Sequence, residues 1–133
     1  MEHITIPAQI NNLDTLYDFI YELMDTAEID EALQNSIISA VEEIFVNIAS
    51  YAYPSGEGDV TVSAEIAPER FTLIFSDSGI PFNPLEKEDP DLTLAADDRD
   101  IGGLGIFMVK KMMDDIYYEY RAGQNVLTIS KNR

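Results

Sequence analysis

Hydrophobic and polar residues alternate strictly in several short segments of this chain. Alternation with the period of a strand covers residues 3–7 and 60–66, and the mainly apolar segment 71–75 predicts a further strand. The dipeptide Pro68-Glu69 separates the second and third of these segments, which predicts that they pair as a hairpin. Two further segments, 116–121 and 126–130, flank Gly123 and predict a C-terminal hairpin.

Hydrophobic residues three and four positions apart predict three helices. The first follows a cap at Asn11 or Asn12, and the second runs from about Asp30 to Tyr51. The buried stripe of the second helix would consist of Leu33, Ile37, Val41, Ile44, Phe45 and Ile48. The third helix follows the glycine segment 102–105, and its stripe would consist of Leu104, Phe107, Met108 and Met112.

Residues 80–101 show neither period and carry Pro81, Pro84 and Pro90 among acidic residues. A loop of this length inside a compact domain is often a functional lid. The order of elements predicts an α+β fold, a two-layer sandwich in which helices cover one face of a mainly antiparallel, or mixed, sheet. We expect a single domain over residues 1–133, since domains commonly contain about 100–150 residues.

The chain is strongly acidic, with 25 Asp and Glu, eight Lys and Arg, and a formal net charge of −17. Nucleic acids and anionic membranes bind basic surfaces, so we expect neither as a partner. The acidity either favours a basic partner protein or serves solubility alone. No apolar run approaches the roughly 20 residues that span a bilayer, and the N-terminus has no signal-like segment. Cysteine is absent as well, so we expect a cytoplasmic protein.

The segment Gly102-Gly103-Leu104-Gly105 places three glycines within four residues at the start of the third helix. Glycine lets the backbone approach a ligand closely, and the N–H groups at a helix start suit a phosphate. Taken alone, the segment fits a plain turn or a helix cap as well as it fits a nucleotide-binding loop.

Two other groups of polar residues are candidates for ligand chemistry. Glu43 and Asn47 lie one helical turn apart, opposite the hydrophobic stripe of the second helix. They would hold magnesium, or the carboxylate would act as a base, and the alternative is a solvated helix face. Asp77 follows a predicted strand, two residues before Gly79. It would accept a hydrogen bond from an exocyclic amine, or form an ordinary Asx turn.

The order of these motifs is more specific than any one of them. The chain resembles the GHKL superfamily in this order of motifs: Glu-x-x-x-Asn on a helix, Asp-x-Gly after a strand, a lid, and Gly-x-Gly opening a helix. Its members share the Bergerat ATP-binding fold with a lid loop. Within it, the chain is similar to the small bacterial anti-sigma-factor serine/threonine kinases. The resemblance is carried by residues 43–54, 77–84, 99–106 and 123–131.

The resemblance implies a site for ATP and Mg²⁺. Asn47 would coordinate the magnesium ion, and Glu43 would be the catalytic base that takes the proton from an attacking serine or threonine hydroxyl. Asp77 would bind the adenine amine, and Gly79 would let the base approach.

The same resemblance implies that the glycine segment binds the phosphates. Gly102, Gly103 and Gly105 would cradle them as the lid, residues 82–101, closes over the nucleotide. Arg99, inside the lid, would add a positive charge near the terminal phosphate.

The chain departs from the family pattern at several positions. Tyr51 stands where many relatives have histidine, and Asn83 replaces a frequent aspartate. Relatives often carry a threonine near the base, just after the glycine of the last hairpin. Those positions are Gln124 and Asn125 here, so this role is not transferred to Thr128.

The resemblance implies a protein serine/threonine kinase that regulates transcription. It would phosphorylate an anti-sigma-factor antagonist, sequester a sigma factor or other regulator by partner switching, and form a homodimer. A non-catalytic ATP-binding module of another partner-switching pathway is an alternative. A third interpretation is the ATPase part of a histidine kinase or a mismatch-repair protein. The pattern shows no helix pair with a phosphoacceptor histidine, and His3 lies on a predicted edge strand.

Overall fold

The computed structural model of the chain describes residues 1–86 and 101–133. Within them, the elements are β1 (Glu2–Pro7), α1 (Leu13–Thr26), α2 (Glu31–Tyr51), β2 (Asp59–Ala67), β3 (Arg70–Asp77), α3 (Ile101–Met112), β4 (Asp115–Arg121) and β5 (Gln124–Asn132). Short 3₁₀ turns occur at Ile10–Asn12 and Pro84–Glu86. The predicted order of strands and helices is confirmed.

The five strands of the described residues form one antiparallel sheet in the order β1-β2-β3-β5-β4. Both predicted hairpins are confirmed, and β1, which carries His3, is an edge strand. Because β5 returns between β3 and β4, β3 is the central strand. Its last residue, Asp77, therefore lies between β2 and β5.

Alternation along β3 separates the two faces of the sheet. Phe71, Leu73 and Phe75 are at most 1% exposed and belong to the hydrophobic core shared with the helices. Thr72 and Ile74, on the other face, are half-buried. The helices therefore cover one face of the sheet, which is the two-layer α+β architecture that the pattern predicts.

α1 and α2 pack on this face, and α2 does so through the stripe that its periodicity predicts. Their buried residues are Leu16, Ile20 and Met24 in α1, and Ile37, Ala40, Val41, Ile44 and Phe45 in α2. Leu33 and Ile48 are half-buried against the same core. Asn12 lies at the N-cap position of α1, but the prediction that it caps the helix was wrong. Its side chain donates instead to the carbonyl oxygen of Pro7 (3.0 Å).

α3 begins earlier than the sequence pattern predicts. It starts at Ile101 and takes the glycine segment 102–105 into its first turns, so a separate loop before the helix is wrong. A glycine inside a helix costs about 1 kcal/mol relative to alanine. Packing of α3 on α2 offsets this cost. Gly105 is required by that contact, because a Cβ there would meet a side chain of α2.

The buried face of α3 also differs from the predicted stripe. Ile106 and Val109, outside that stripe, are at most 3% exposed, whereas Met108, inside it, is 44% exposed. Phe107 and Met112 are half-buried. Because α3 carries hydrophobic residues on more than one face, its docking on α2 decides which face is buried.

The predicted lid, residues 82–101, falls largely outside the described residues, which end at residue 86 and resume at residue 101. Arg99 lies outside them as well, so the structure places neither the closing segment nor this cation. Among the helices that are described, none has the length and apolar character needed to cross a membrane.

Candidate functional site

A cavity of about 370 Å³ lies between α2, α3 and the sheet. Small-molecule sites in proteins commonly measure roughly 300–1,000 Å³. Its walls are mostly apolar, formed by Ile44, Ile48, Ala52, Phe75, Ile80, Pro84, Ile106 and Leu127. The remaining lining residues are Asn47, Asp77 and Asn125, together with the aromatic Tyr51, Phe82 and Tyr118. An apolar cavity with a few polar side chains suits a flat, partly polar ring.

Asp77 is the polar residue at the end of the central strand, and it is 5% exposed. Its Oδ1 accepts hydrogen bonds from the backbone N–H of Gly79 (2.9 Å) and from Nδ2 of Asn125 (2.9 Å). The first of these bonds is the predicted Asx turn. Within residues 1–86 and 105–133, no side chain or backbone group donates to Oδ2. Oδ2 is therefore the acceptor that Asp77 offers to a ligand in the cavity.

Gly79 lies against the C-terminal end of α2. A Cβ at this position would come within 2.6 Å of the Cβ of Ala52 and still closer to the Ala52 carbonyl oxygen. That oxygen accepts a hydrogen bond from the backbone N–H of Ile80 (2.9 Å). The contact excludes any side chain at position 79 and ties the Asp77 turn to the helix that carries Asn47.

Tyr53 holds the same turn from another side. Its hydroxyl donates to the carbonyl oxygen of Asp59 (2.6 Å) and accepts from the backbone N–H of Ser78 (2.8 Å). Burial raises the pKa of the Tyr53 hydroxyl above its ordinary value, because desolvation disfavours the charged phenolate. Tyr53 is therefore protonated at neutral pH and keeps its bond to Asp59.

Asn125 is a site residue to which the sequence assigned no role. It is 7% exposed, and its Nδ2 donates to Oδ1 of Asp77 (2.9 Å) and to the carbonyl oxygen of Ile80 (2.9 Å). Its Oδ1 accepts from the backbone N–H of Phe82 (3.0 Å) and from the hydroxyl of Tyr118. Asn125 therefore joins β5, β4, Asp77 and the segment after it in one hydrogen-bonded group.

One signal in the sequence could have identified Asn125. Alternation along β5 places it on the same face as Leu127 and Ile129, which are buried. A polar residue on a buried face indicates a hydrogen-bonded partner. Only the register between β3 and β5 shows that this partner is Asp77.

Glu43 and Asn47 lie one turn apart on α2 and are half-buried, so a fully solvated helix face is excluded. Asn47 lines the cavity. Glu43 lies beside α3: a Cβ at Gly105 would come within 2.5 Å of Oε2 of Glu43 and 3.4 Å of its Cδ. The lack of a side chain at Gly105 therefore lets α3 pack directly on this carboxylate.

Gly102 and Gly103 belong to the first turn of α3. The first N–H groups of a helix have no partner inside the helix and favour an anion. The structure thus brings Asn47 and Asp77 to one cavity, places Gly79 in the adjoining turn against Ala52, and brings Glu43 to the first turns of α3.

The polar side chains that α2 offers near the cavity fit a magnesium ion that also has phosphate ligands. Among the described residues, no group of three or more His, Asp or Glu side chains could hold a metal ion. Mg²⁺ commonly takes one or two protein oxygens and completes its shell with phosphate oxygens and water. Asn47, which lines the cavity and carries an amide oxygen, suits that share, and it leaves the Glu43 carboxylate one helical turn away to accept a proton.

Comparison with known proteins identifies the family of the chain and its relatives. Residues 6–131 match the histidine kinase-like ATPase domain family. The serine-protein kinase RsbW of Bacillus mycoides is 28% identical over 92 residues, which cover 66% of this chain and 58% of RsbW. The anti-sigma F factor of Clostridium acetobutylicum is 28% identical over 109 residues, which cover 80% of this chain and 76% of that protein.

A solved structure containing the RsbU and RsbW domains of a Mycobacterium tuberculosis protein has the same fold. The TM-score is 0.66 at 18% identity, with 100% of this chain and 33% of that chain covered. This similarity confirms the α+β architecture. The matched segment spans 58% of the length of the RsbW relative from Bacillus mycoides. Because the family match extends over residues 6–131, the chain belongs to the histidine kinase-like ATPase domain family.

Proposed function

We propose that this chain is an ATP-binding serine/threonine-protein kinase that phosphorylates an anti-sigma-factor antagonist and sequesters a sigma factor by partner switching. The observation that carries the proposal is the placement of Asp77 and Asn47 on one apolar cavity, with Glu43 one turn from Asn47. Asp77 and Asn47 offer an acceptor for a base and an oxygen ligand for a metal on the same cavity, and Glu43, one turn from Asn47, offers a carboxylate base. ATP presents its adenine, phosphates and transferred group in that order.

Asp77 recognises the adenine ring. Its Oδ2 accepts a hydrogen bond from the 6-amino group, while the apolar walls remove the ring from water. Gly79 keeps the Asp77 turn packed on Ala52, where a Cβ would collide, and we propose that this close packing lets the base approach Asp77.

Asn47 and the first turn of α3 hold the phosphate end. Bound Mg²⁺ neutralises phosphate charge, and Asn47 supplies it with an amide oxygen. Backbone N–H groups of Gly102 and Gly103, in the first turn of α3, donate to the phosphates, and Arg99 adds a positive charge. Gly105, one turn further on, completes the proposed cradle by keeping the helix free of a side chain beside Glu43. Backbone donors suit a chain with only eight Lys and Arg.

Glu43 is the catalytic base. Its carboxylate accepts the proton of a serine or threonine hydroxyl while the hydroxyl oxygen forms a bond to the γ-phosphorus. The bond from that phosphorus to the β–γ bridging oxygen breaks, and ADP leaves with the electron pair. Phosphoryl transfer depends mainly on positioning and charge neutralisation, so one base, one metal ion and a glycine cradle suffice.

The proposed partners are proteins. The matched relatives are named as a serine-protein kinase and an anti-sigma F factor, which supports an antagonist as substrate and a sigma factor or other regulator as the sequestered partner. We place this exchange in the cytoplasm, with the chain as a single-domain homodimer. The net charge of −17 favours a partner with a basic surface.

One observation favours a second function, a non-catalytic ATP-binding module of another partner-switching pathway. The Glu43 carboxylate contacts the position of Gly105, so α3 covers part of the group that a substrate hydroxyl must reach. If α3 keeps this position over bound ATP, the nucleotide is held without transfer.

A two-step experiment separates the two functions. Thermal unfolding with and without ATP and Mg²⁺ tests binding, since ligand at about 100 times its Kd adds about 2.7 kcal/mol of stability. Incubation with γ-labelled ATP and candidate antagonists then tests transfer. Label on a serine or threonine of an antagonist supports the kinase, and binding without transfer supports the module. No thermal shift at millimolar nucleotide contradicts both.

A further inference from the structure

Asn125 uses every hydrogen-bonding position of its side chain. Nδ2 donates to Oδ1 of Asp77 and to the carbonyl oxygen of Ile80, each at 2.9 Å. Oδ1 accepts from the backbone N–H of Phe82 at 3.0 Å and from the Tyr118 hydroxyl. A side-chain amide has two donor hydrogens and two acceptor lone pairs. Asn125 therefore lines the cavity but retains no group for a ligand.

These partners determine which way the amide faces. In the reverse orientation, Oδ1 would face the Asp77 carboxylate and the Ile80 carbonyl, which are both acceptors. Nδ2 would then face the Phe82 N–H, which is a donor. Asn125 and Asp77 are 7% and 5% exposed, and buried polar groups do not tolerate such pairings. Nδ2 therefore faces Asp77.

This orientation of the Asn125 amide determines which oxygen of Asp77 can accept a further hydrogen bond. Oδ1 receives two donors, the Gly79 N–H and Asn125 Nδ2, and is saturated. Oδ2 has no donor within the part of the chain that the structure describes. The carboxylate is thus held in one orientation and offers one acceptor-only oxygen at the cavity wall. An exocyclic amine satisfies that oxygen, whereas a carbonyl oxygen in the same place is repelled.

We propose that Asn125 is the positioning residue that makes this site select a 6-aminopurine, adenine, over a 6-oxopurine, guanine. It acts through Asp77, because its own amide has no position left for the base. The inference rests on the nucleotide binding proposed above, and it adds nucleobase discrimination as a task of β5.

Asn125 also supports the cavity wall, and this second role must be separated from the first. Its bonds to Ile80 and to Phe82 hold the segment 80–82, and both of these residues line the cavity. Loss of a purely structural support weakens every ligand of the cavity by the same factor. Loss of Asp77 positioning weakens only ligands that carry a 6-amino group, so the ratio of two affinities distinguishes the roles.

The test measures the Kd of the whole chain for ATP, for GTP and for purine ribonucleoside triphosphate, which is ATP without its 6-amino group. Wild-type protein is expected to prefer ATP to the unsubstituted purine by about 10- to 100-fold, the effect of one charge-assisted hydrogen bond. Its preference over GTP is expected to be larger. Asn125→Leu keeps the size of the side chain and removes both donors, so its ATP-to-purine preference is expected to fall below about threefold.

Two control variants accompany Asn125→Leu. Asn132→Leu makes the same change at the exposed last residue of β5, away from the cavity, and is expected to keep the wild-type ratio. Tyr118→Phe removes a donor to Asn125 Oδ1 but leaves the bond from Nδ2 to Asp77, and it is also expected to keep the ratio.

The outcomes separate the inference from the proposed function. An Asn125→Leu protein that keeps the wild-type ratio, even with all its Kd values raised, overturns the inference and leaves ATP binding intact. If circular dichroism shows that Asn125→Leu is unfolded, Asn125→Ala is measured in its place. Wild-type protein that binds ATP and the unsubstituted purine equally overturns the inference without any variant. Wild-type protein that binds none of the three nucleotides overturns the proposed function itself.

Discussion

Glu43 and Gly105 meet where α3 packs on α2: a Cβ at position 105 would lie 2.5 Å from Oε2 of Glu43. Glycine at this position is what allows the helix to approach the carboxylate. The contact joins the proposed catalytic base to the glycine segment proposed to hold the phosphates. Movement of either helix would change the position of the base relative to the phosphate.

Gly105→Ala is expected to slow phosphoryl transfer while leaving the fold intact. The new Cβ displaces the Glu43 carboxylate, and misplacement of a catalytic group by about 1 Å costs as much as about 100-fold in rate. Stability is expected to change little, because the displaced atoms are the end of a flexible side chain and a helical Gly→Ala change adds up to about 1 kcal/mol. Urea unfolding and label transfer check the two parts. Wild-type transfer in this variant would contradict the placement of the base.

Glu43→Gln is expected to lower transfer by about 10²- to 10⁴-fold, because the amide keeps the size of the carboxylate but cannot accept the proton. The Kd for ATP should stay close to that of wild type. Glu42→Gln, at the neighbouring exposed glutamate of α2, is the matched control and should transfer phosphate at the wild-type rate. Unreduced transfer in Glu43→Gln would sink the general-base role.

Asn47→Ala is expected to weaken ATP binding only when Mg²⁺ is present, since its oxygen is proposed to act through the metal ion. Isothermal titration with Mg²⁺ and with excess chelator checks this, and the two Kd values should converge in the variant. Asn35→Ala, on an exposed position of the same helix, should keep the wild-type difference. An unchanged magnesium dependence in Asn47→Ala would mean that other residues hold the metal.

Gly79→Ala is expected to lower stability by about 1–3 kcal/mol and to weaken ATP binding, because the new methyl group collides with the backbone of Ala52. Gly56→Ala is the control: its Cβ would meet no atom within 4 Å, but its φ of +84° is unfavourable for alanine. It should lower stability by about 1–2 kcal/mol without changing the Kd for ATP. A Gly79→Ala protein with wild-type stability and Kd would show that the turn has room for a side chain.

Tyr53→Phe is expected to cost about 1–3 kcal/mol at neutral pH, because Ser78 and Asp59 lose their partner. Burial raises the pKa of Tyr53 in the folded state. A group of this kind contributes stability below its unfolded pKa, about 10, and loses it as the pH rises through the folded value. The difference in unfolding free energy between wild type and Tyr53→Phe should therefore shrink above about pH 10.

Urea titrations at several values between about pH 8 and pH 11.5 measure that difference. Burial also raises the pKa of Tyr17, to about 12, and that of Tyr118. Both residues are present in wild type and variant, so their contributions cancel. A difference that stays constant over this range would contradict a titrating Tyr53 hydroxyl in the folded state.

Periodicity predicted correctly those elements that have one hydrophobic face. β2, β3, α1 and α2 each bury the face that their pattern marks, because a single apolar face leaves one way to pack. α3 has apolar residues on more than one face, so its pattern does not define which face is buried. The pattern predicted that Met108 is buried, whereas the structure buries Ile106 and Val109. The side-chain cap predicted at Asn12 is not formed, because its amide donates to the carbonyl oxygen of Pro7, five residues earlier in the chain.

The sequence by itself determined the elements, the spacing of Glu43 and Asn47 within one helix, and the turn from Asp77 to Gly79, since each depends on residues close together in the chain. Only the tertiary structure decided that Asn125, 48 residues after Asp77, orients its carboxylate, and that Gly105 lies against Glu43. The first contact depends on the register between two strands and the second on the docking of two helices. Neither is contained in a local pattern, because both arise from packing between distant segments.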